Sequence, residues 1–309
     1  MIILHHYPES PFSEKVRLLL GYKGADYQAV TIPIIMPKPD LIPLTGGYRK
    51  TPVMQIDADI YCDTAIICKV IDRLYPENSI YPEGQLAMIT SAANWTDTFF
   101  FRVSVAMAFQ PKAIASSPLF SDQEAAAAFM ADRAQLSEGS TQLQMEFETA
   151  YPYFVAHLKR LDNQLAAASY MAGDKPCIVD FSTYHCLWFV RNNDALRDEF
   201  TPFPNVVAWL DRMQSFGQGG LTEIEGSAGL AAAKAAAPAT SAKSTTAALD
   251  GLQIGDDVEV LPIDYGFQPT RGRLELASLE ELVVIRADDQ VGEVAVHFPR
   301  LGFQVRKPA

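Results

Sequence analysis

The sequence lacks an apolar run of the roughly 20 residues that cross a bilayer, a Cys-x-x-C pair, and any block of clustered Lys and Arg. The first absence argues against a membrane-spanning helix. Cys62, Cys68, Cys177 and Cys186, with His5, His6, His157, His185 and His297, show no ligand spacing, so no structural zinc or other metal is expected. Four cysteines in a chain without an export signal fit free, buried thiols better than disulfides. A formal net charge of −12 argues against nucleic acid as a partner, because affinity for a phosphate backbone comes from clustered cations. The opening MIILHHYPES has neither a basic flank nor an apolar core long enough for secretion, so the expected location is the cytoplasm, without membrane association.

What the chain does have is 49% apolar content against 20% charged residues, the composition of a well-packed protein, over 309 residues, enough for two or three domains. IILHH, residues 2–6, is short and apolar, as a strand requires. Residues 12–23 place Val16, Leu19, Leu20 and Lys23 at helical spacing behind Pro11, whose missing N–H costs nothing in a first turn. A second strand is expected over 27–31, followed by a Pro-rich passage from Pro33 to Pro43 without regular structure. TPVMQIDADIYC, residues 51–62, reads as a hairpin, and 63–76 as a helix with Ile66, Ile67, Val70, Ile71 and Leu74 on one face. Together these elements predict a layered α/β domain over residues 1–80.

From 84 to 220 the pattern is helical, with amphipathic or Ala-rich stretches near 85–110, 122–136, 141–168, 180–192 and 204–214. Residues 226–249 contain almost no large side chain to anchor them and read as an Ala-rich linker, whose alanines would form at most a loose helix. Beyond them VEVLPI, RLELAS, ELVVIR and GEVAVHF alternate or are β-branched, which predicts a small all-β module at 250–309 with four or five strands. A core of that size is marginal alone, so the module is expected to dock on the rest.

SPFSEKVRLLL at a strand-to-helix turn, TPV before an apolar strand and YCDTAII at a helix start occur in this order within the first 76 residues. Together they resemble the thioredoxin-like half of the glutathione transferase superfamily. GDKPCIVDFSTYHCLWFV, residues 173–190, resembles part of that superfamily's helical second domain, with Asp180 in place and Cys177 where a capping Ser or Thr is usual. The resemblance covers residues 1 to about 220. It implies an α/β thioredoxin-like domain followed by an all-helical domain, with the small all-β carboxy-terminal module outside the usual architecture.

The resemblance also implies glutathione as cosubstrate. A free thiol titrates near pH 8.5, so catalysis needs its anion stabilised, and a hydroxyl at a helix N-terminus can donate to the sulfur. The resemblance assigns that role to Ser10, where redox relatives carry cysteine, with Ser13 as the second candidate; a bare helix cap is the alternative for either. Serine cannot form a mixed disulfide, so conjugation, addition or isomerisation is implied rather than disulfide reduction. Pro52 after Thr51 is implied to be cis, turning Val53 toward the peptide backbone of the ligand. Asp63 and Thr64 are implied to receive the γ-glutamyl amine and carboxylate. Arg49 or Lys50 would reach the glycine carboxylate, or else remain solvated loop charges.

A small electrophile would sit between the domains. Trp95, Phe99 and Arg102, in NWTDTFFFR, are the expected substrate-pocket residues and suggest an apolar or planar cosubstrate. A homodimer is implied by resemblance. PIDYGFQPTRG and VHFPRLGF in the tail carry aromatic and Arg residues near turns, and a lid, an interface and a scaffold all fit them. The implied function is a transferase stabilising the glutathione thiolate for attack on an electrophile; the alternative is a non-catalytic glutathione-binding or protein-interaction member of the same superfamily.

Overall fold

A computed structural model describes residues 1–117, 120, 122–239, 244–245 and 251–308. The first domain runs β1 (Ile2–His6), α1 (Pro11–Tyr22), β2 (Asp26–Thr31), a short α2 (Ile42–Thr45), β3 (Val53–Ile56), β4 (Asp59–Cys62) and α3 (Thr64–Leu74). β1 pairs parallel with β2 and antiparallel with β3, which pairs antiparallel with β4, so that Leu4 lies opposite Ala29 and Met54. Side chains on successive strand positions point to opposite faces. Ile2, Leu4, Tyr27 and Met54 therefore enter one core with α1, α3 and the helical domain, whereas Ile3, Val30, Val53 and Ile60 enter a second. Burial on both faces explains why Ile2, Ile3 and Leu4 are apolar in succession rather than alternating with polar residues.

In the helical domain α4 (Leu86–Trp95) passes through a π-turn at Thr96–Phe100 into α5 (Phe101–Ala108). There follow α6 (Pro111–Ser116), α7 (Gln123–Leu136), α8 (Phe147–Leu165), α9 (Ile178–Arg191) and α10 (Pro204–Gln214). The Asp180 carboxylate ties this domain together at the start of α9. It accepts from the N–H groups of Cys177 at 3.0 Å and Met171 at 2.9 Å, from Trp209 Nε1 at 3.0 Å, and from the Cys177 thiol at 3.4 Å. Cys177 thus stands at the cap with its sulfur donating to Asp180. No helix among the described residues is long and apolar enough to cross a membrane, and all four cysteines are free and buried.

After α10 the chain returns to the first sheet as β5 (Gly220–Glu223), parallel to β2. The next residues correct the linker expectation, because Gly226–Lys234 form a helix, α11, packed on the sheet. A Cβ at Gly229 would lie 3.0 Å from His5 Cε1, and Gln55 Nε2 donates to the Gly229 carbonyl at 2.8 Å. The small side chains that weakened the case for a packed element are what allow this helix to lie close. The later part of the expected linker, residues 240–243 and 246–249, lies outside the described residues.

A two-residue β6 (Ser244–Thr245) precedes the module strands β7 (Asp257–Pro262), β8 (Thr270–Ala277), β9 (Glu281–Asp288), β10 (Gly292–Pro299) and β11 (Phe303–Arg306). β7 to β10 form an antiparallel meander, and β11 returns to pair with β7. β10 then pairs parallel with β4, placing Val296 opposite Ile60 and His297 opposite Tyr61. The module therefore docks by extending the first domain's sheet, in the order β11-β7-β8-β9-β10-β4-β3-β1-β2-β5. Val296 and Phe298 are buried in the shared core. Each contributes roughly 1.5–3 kcal/mol by leaving water.

Candidate functional site

The three parts enclose a cleft of about 1870 Å³. Ser10 lines it as the N-cap of α1, its Oγ accepting the Ser13 N–H at 3.1 Å. Ser13 is outside the lining; its own hydroxyl is buried and lacks a partner among the described residues. Tyr7, just beyond β1, brings a second hydroxyl to the cleft. Burial pushes that phenol above its ordinary value, while Arg133 and a hydrogen bond with Ser10 oppose the shift. Nothing periodic in the sequence marks Tyr7, which follows an apolar strand and resembles ordinary core.

The Thr51–Pro52 peptide is cis, and both residues line the cleft ahead of β3. Val53 is wholly buried between His5 and Cys62 and does not line it. Asp63 caps α3 at φ +87°, a conformation rare for a residue with a side chain, and its carboxylate accepts the Ala65 N–H at 2.8 Å. Burial pushes the Asp63 carboxyl up, against that hydrogen bond and the charges of Lys50 and Lys15. Next to it the Thr64 hydroxyl lies 3.5 Å from the buried Lys15 ammonium. Lys15 pairs with Asp97 at 2.7 Å, and Asp97 also receives Ser182 at 3.1 Å and His185 at 2.9 Å. Burial alone would raise the Asp97 carboxyl, but Lys15 and His185 hold it below the usual range. Asp97 sits in the π-turn, where one turn of helix is widened.

The cations around the cleft are almost all engaged. Arg49 and Arg133 both pair with Asp132 of α7, Lys69 pairs with Glu280, and Lys50 meets Asp264 at 2.6 Å with its ammonium 3.8 Å from the Tyr265 ring centre. Lys38 differs. It donates to Thr51 Oγ1 at 3.0 Å and to the Arg49 carbonyl at 3.4 Å, with no carboxylate in ion-pair range among the described residues. Burial, reinforced by Arg133 and Arg49, pushes its pKa down to about 7. The sequence left Lys38 in a Pro-rich loop with no feature to single it out.

The apolar half of the cleft includes Phe101, Val105, Phe109, Phe129 and Trp188. Trp95, Phe99 and Arg102 lie on a neighbouring helix face, outside the lining: Trp95 stacks on Phe99 and Phe100, and the Arg102 guanidinium lies over Phe99. Asn94, Thr98 and Phe101, each one residue earlier, face the cleft instead. A one-residue phase error rotates a helical face by about 100°, and aromatic density does not set the phase.

A family model for the glutathione S-transferase N-terminal domain matches residues 4–79, and one for the C-terminal domain matches residues 124–212. A GST-like protein from Pseudomonas syringae is 38% identical with a TM-score of 0.83, and the match covers 99% of this chain and 100% of that one. It therefore runs through the β module as well. A glutathione S-transferase from Rhodospirillum rubrum F11, 20% identical with a TM-score of 0.52 over 70% of this chain and 88% of that one, shares the fold. Among curated proteins, Glutathione S-transferase U4 of Arabidopsis thaliana is 28% identical over 74 residues, 24% of this chain and 33% of that protein's length. With both domain models matched in order and a full-length relative at this identity, the chain belongs to the glutathione S-transferase superfamily.

Proposed function

We propose that the chain binds glutathione in this cleft and stabilises its thiolate for attack on a small, apolar electrophile held against the helical domain. The observation that carries this reading is Ser10, a cleft-lining hydroxyl at the start of α1 with the Tyr7 hydroxyl beside it. Ser10 donates to the sulfur while accepting the Ser13 N–H, and the positive end of the helix adds to the preference for an anion. The thiol proton leaves to solvent, the sulfur lone pair forms the new bond to the electrophile, and the displaced electron pair departs with a leaving group or takes up a proton.

Asp63 and Thr64 receive the γ-glutamyl amine and carboxylate, with Lys15 behind Thr64. For the glycine carboxylate we assign Lys38 in place of Arg49 or Lys50, since those two already hold Asp132 and Asp264. A homodimer and a cytoplasmic location belong to the same proposal; light scattering and cell fractionation check them. The central test is titration calorimetry of the full chain with reduced glutathione and an S-alkyl glutathione. Saturable binding, weakened much more by Asp63→Ala than by Ser10→Ala, is expected. No uptake of either ligand would sink the reading.

A further inference from the structure

The loop between β7 and β8 is held by the first domain and the helical domain at once. Asp264 Oδ1 takes the Lys50 ammonium of the first domain and also the Tyr265 N–H, the latter at 2.7 Å. The helical domain grips the same loop through the Ser140 hydroxyl, which donates to the Asp264 carbonyl, and through the Leu136 carbonyl, which accepts the Gly266 N–H at 2.9 Å. Gly266 has φ +71°, and a Cβ there would lie 3.1 Å from Leu136 Cδ1 and 3.3 Å from Lys50 Cε. A loop pinned this closely from two sides has a fixed position.

Between those pins stands Tyr265, which lines the cleft together with Ser10, Asp63 and Lys50. Its ring lies against the Lys50 ammonium, the residue is half-buried in the cleft wall, and its hydroxyl has no hydrogen-bond partner among the described residues. Burial, with Asp264, Asp63 and Tyr7 nearby, pushes this phenol well above its ordinary value. It therefore stays a neutral hydrogen-bond donor at any physiological pH.

We propose that the β module supplies a wall of the ligand site, in which Tyr265 is a specificity-determining residue whose hydroxyl donates to an acceptor oxygen of the bound peptide. This rests on the glutathione reading above. It extends the site beyond the two superfamily domains to a residue more than two hundred positions from Lys50. Lys50 and Asp264 then act on the ligand through Tyr265, by holding its ring and backbone.

Two readouts on the full-length chain separate this inference from the reading beneath it. In calorimetry with reduced glutathione, Tyr265→Phe keeps the ring and the Lys50 contact and is expected to weaken binding about fivefold, the loss of one neutral hydrogen bond. Tyr265→Ala should weaken it further. The second readout needs no glutathione: a Ser10→Cys variant is labelled with a small aromatic disulfide, the four native cysteines being buried. Adding Tyr265→Ala is expected to speed that labelling several-fold, with Tyr265→Phe leaving it unchanged, and thermal melts check that each variant folds. Wild-type uptake of glutathione with equal affinity in both Tyr265 variants would overturn the inference and leave the glutathione reading standing. Faster labelling in a protein that takes up no glutathione would support the wall and remove the glutathione reading. Unchanged labelling together with unchanged binding overturns the wall.

Discussion

His297 of the carboxy-terminal module sits with Nε2 2.9 Å from Oδ1 of Asp59, the first residue of β4. Its other nitrogen is 2.7 Å from Glu281 on β9, and its ring stacks on Tyr61 at 4.4 Å. Burial opposes the charged imidazole, but hydrogen bonds to Asp59 and Glu281 outweigh it and raise the His297 pKa. A raised folded value means the contribution is fully present below the unfolded value of about 6.5 and is lost as pH rises through the folded value. Melting measured from about pH 6 to 9 should therefore show wild type losing its advantage over His297→Gln, with a difference of about 2 kcal/mol at the acidic end, the scale of a charged hydrogen bond. Parallel curves for the two proteins would contradict this.

Lys38 makes a prediction of opposite origin. Its pKa of about 7 means that the free protein loses this ammonium on the alkaline side of neutrality. If the ligand's terminal carboxylate pairs with it, affinity for S-methyl glutathione falls as pH rises above 7, by up to about tenfold per unit, with proton uptake on binding. Arginine stays charged throughout, so Lys38→Arg flattens the profile. Calorimetry in buffers of different ionisation enthalpy reads the proton directly; zero uptake at pH 8 removes Lys38 from the site.

Breaking the Lys15–Asp97 pair should have an asymmetric cost. Asp97 keeps Ser182 and His185 when Lys15 becomes Met, whereas Lys15, fully enclosed, keeps Thr64 as its one hydrogen-bond partner among the described residues, with the Asp63 charge further off, when Asp97 becomes Leu. An uncompensated buried charge costs about 3–5 kcal/mol. Asp97→Leu is expected near that range and Lys15→Met well below it, as measured by urea unfolding; equal losses would contradict the assignment.

Gly229 tests whether α11 is an integral layer. Valine there would force its Cβ into His5 and Gln55, and overpacking of this kind costs about 1–3 kcal/mol. A melting point unchanged in Gly229→Val would mean that the helix lies loosely on the sheet.

Much of this molecule was legible because its signals are local. The Ser10 cap, the hairpin at 53–62 and the helix opened by Asp63 each depend on residues within a few positions of one another. The α10 boundaries were also readable, because Pro204 marks the first turn and one apolar face continues to the end. What escaped depends on distant partners. GLTE becomes β5 because β2 offers an edge, and GSAGLAAAK becomes a packed helix because Gly229 lets it approach His5 and Gln55 closely. In the cleft, Lys38 stands out because Arg49 and Lys50 are neutralised by Asp132 and Asp264, a fact of tertiary charge pairing. The phase of the helix around Trp95 was lost for a related reason, since a face is defined by what packs on it.

The parallel pairing of β10 with β4 has a consequence in time. β4 leaves the ribosome about 230 residues before its neighbour exists. At ordinary synthesis rates its edge waits on the order of tens of seconds. Closing so long a loop adds little entropy cost beyond a shorter one, but unpaired strand edges recruit other chains. The nascent protein is thus most exposed to misassembly in the interval when its older two domains are already complete, and release of the final strands ends that interval.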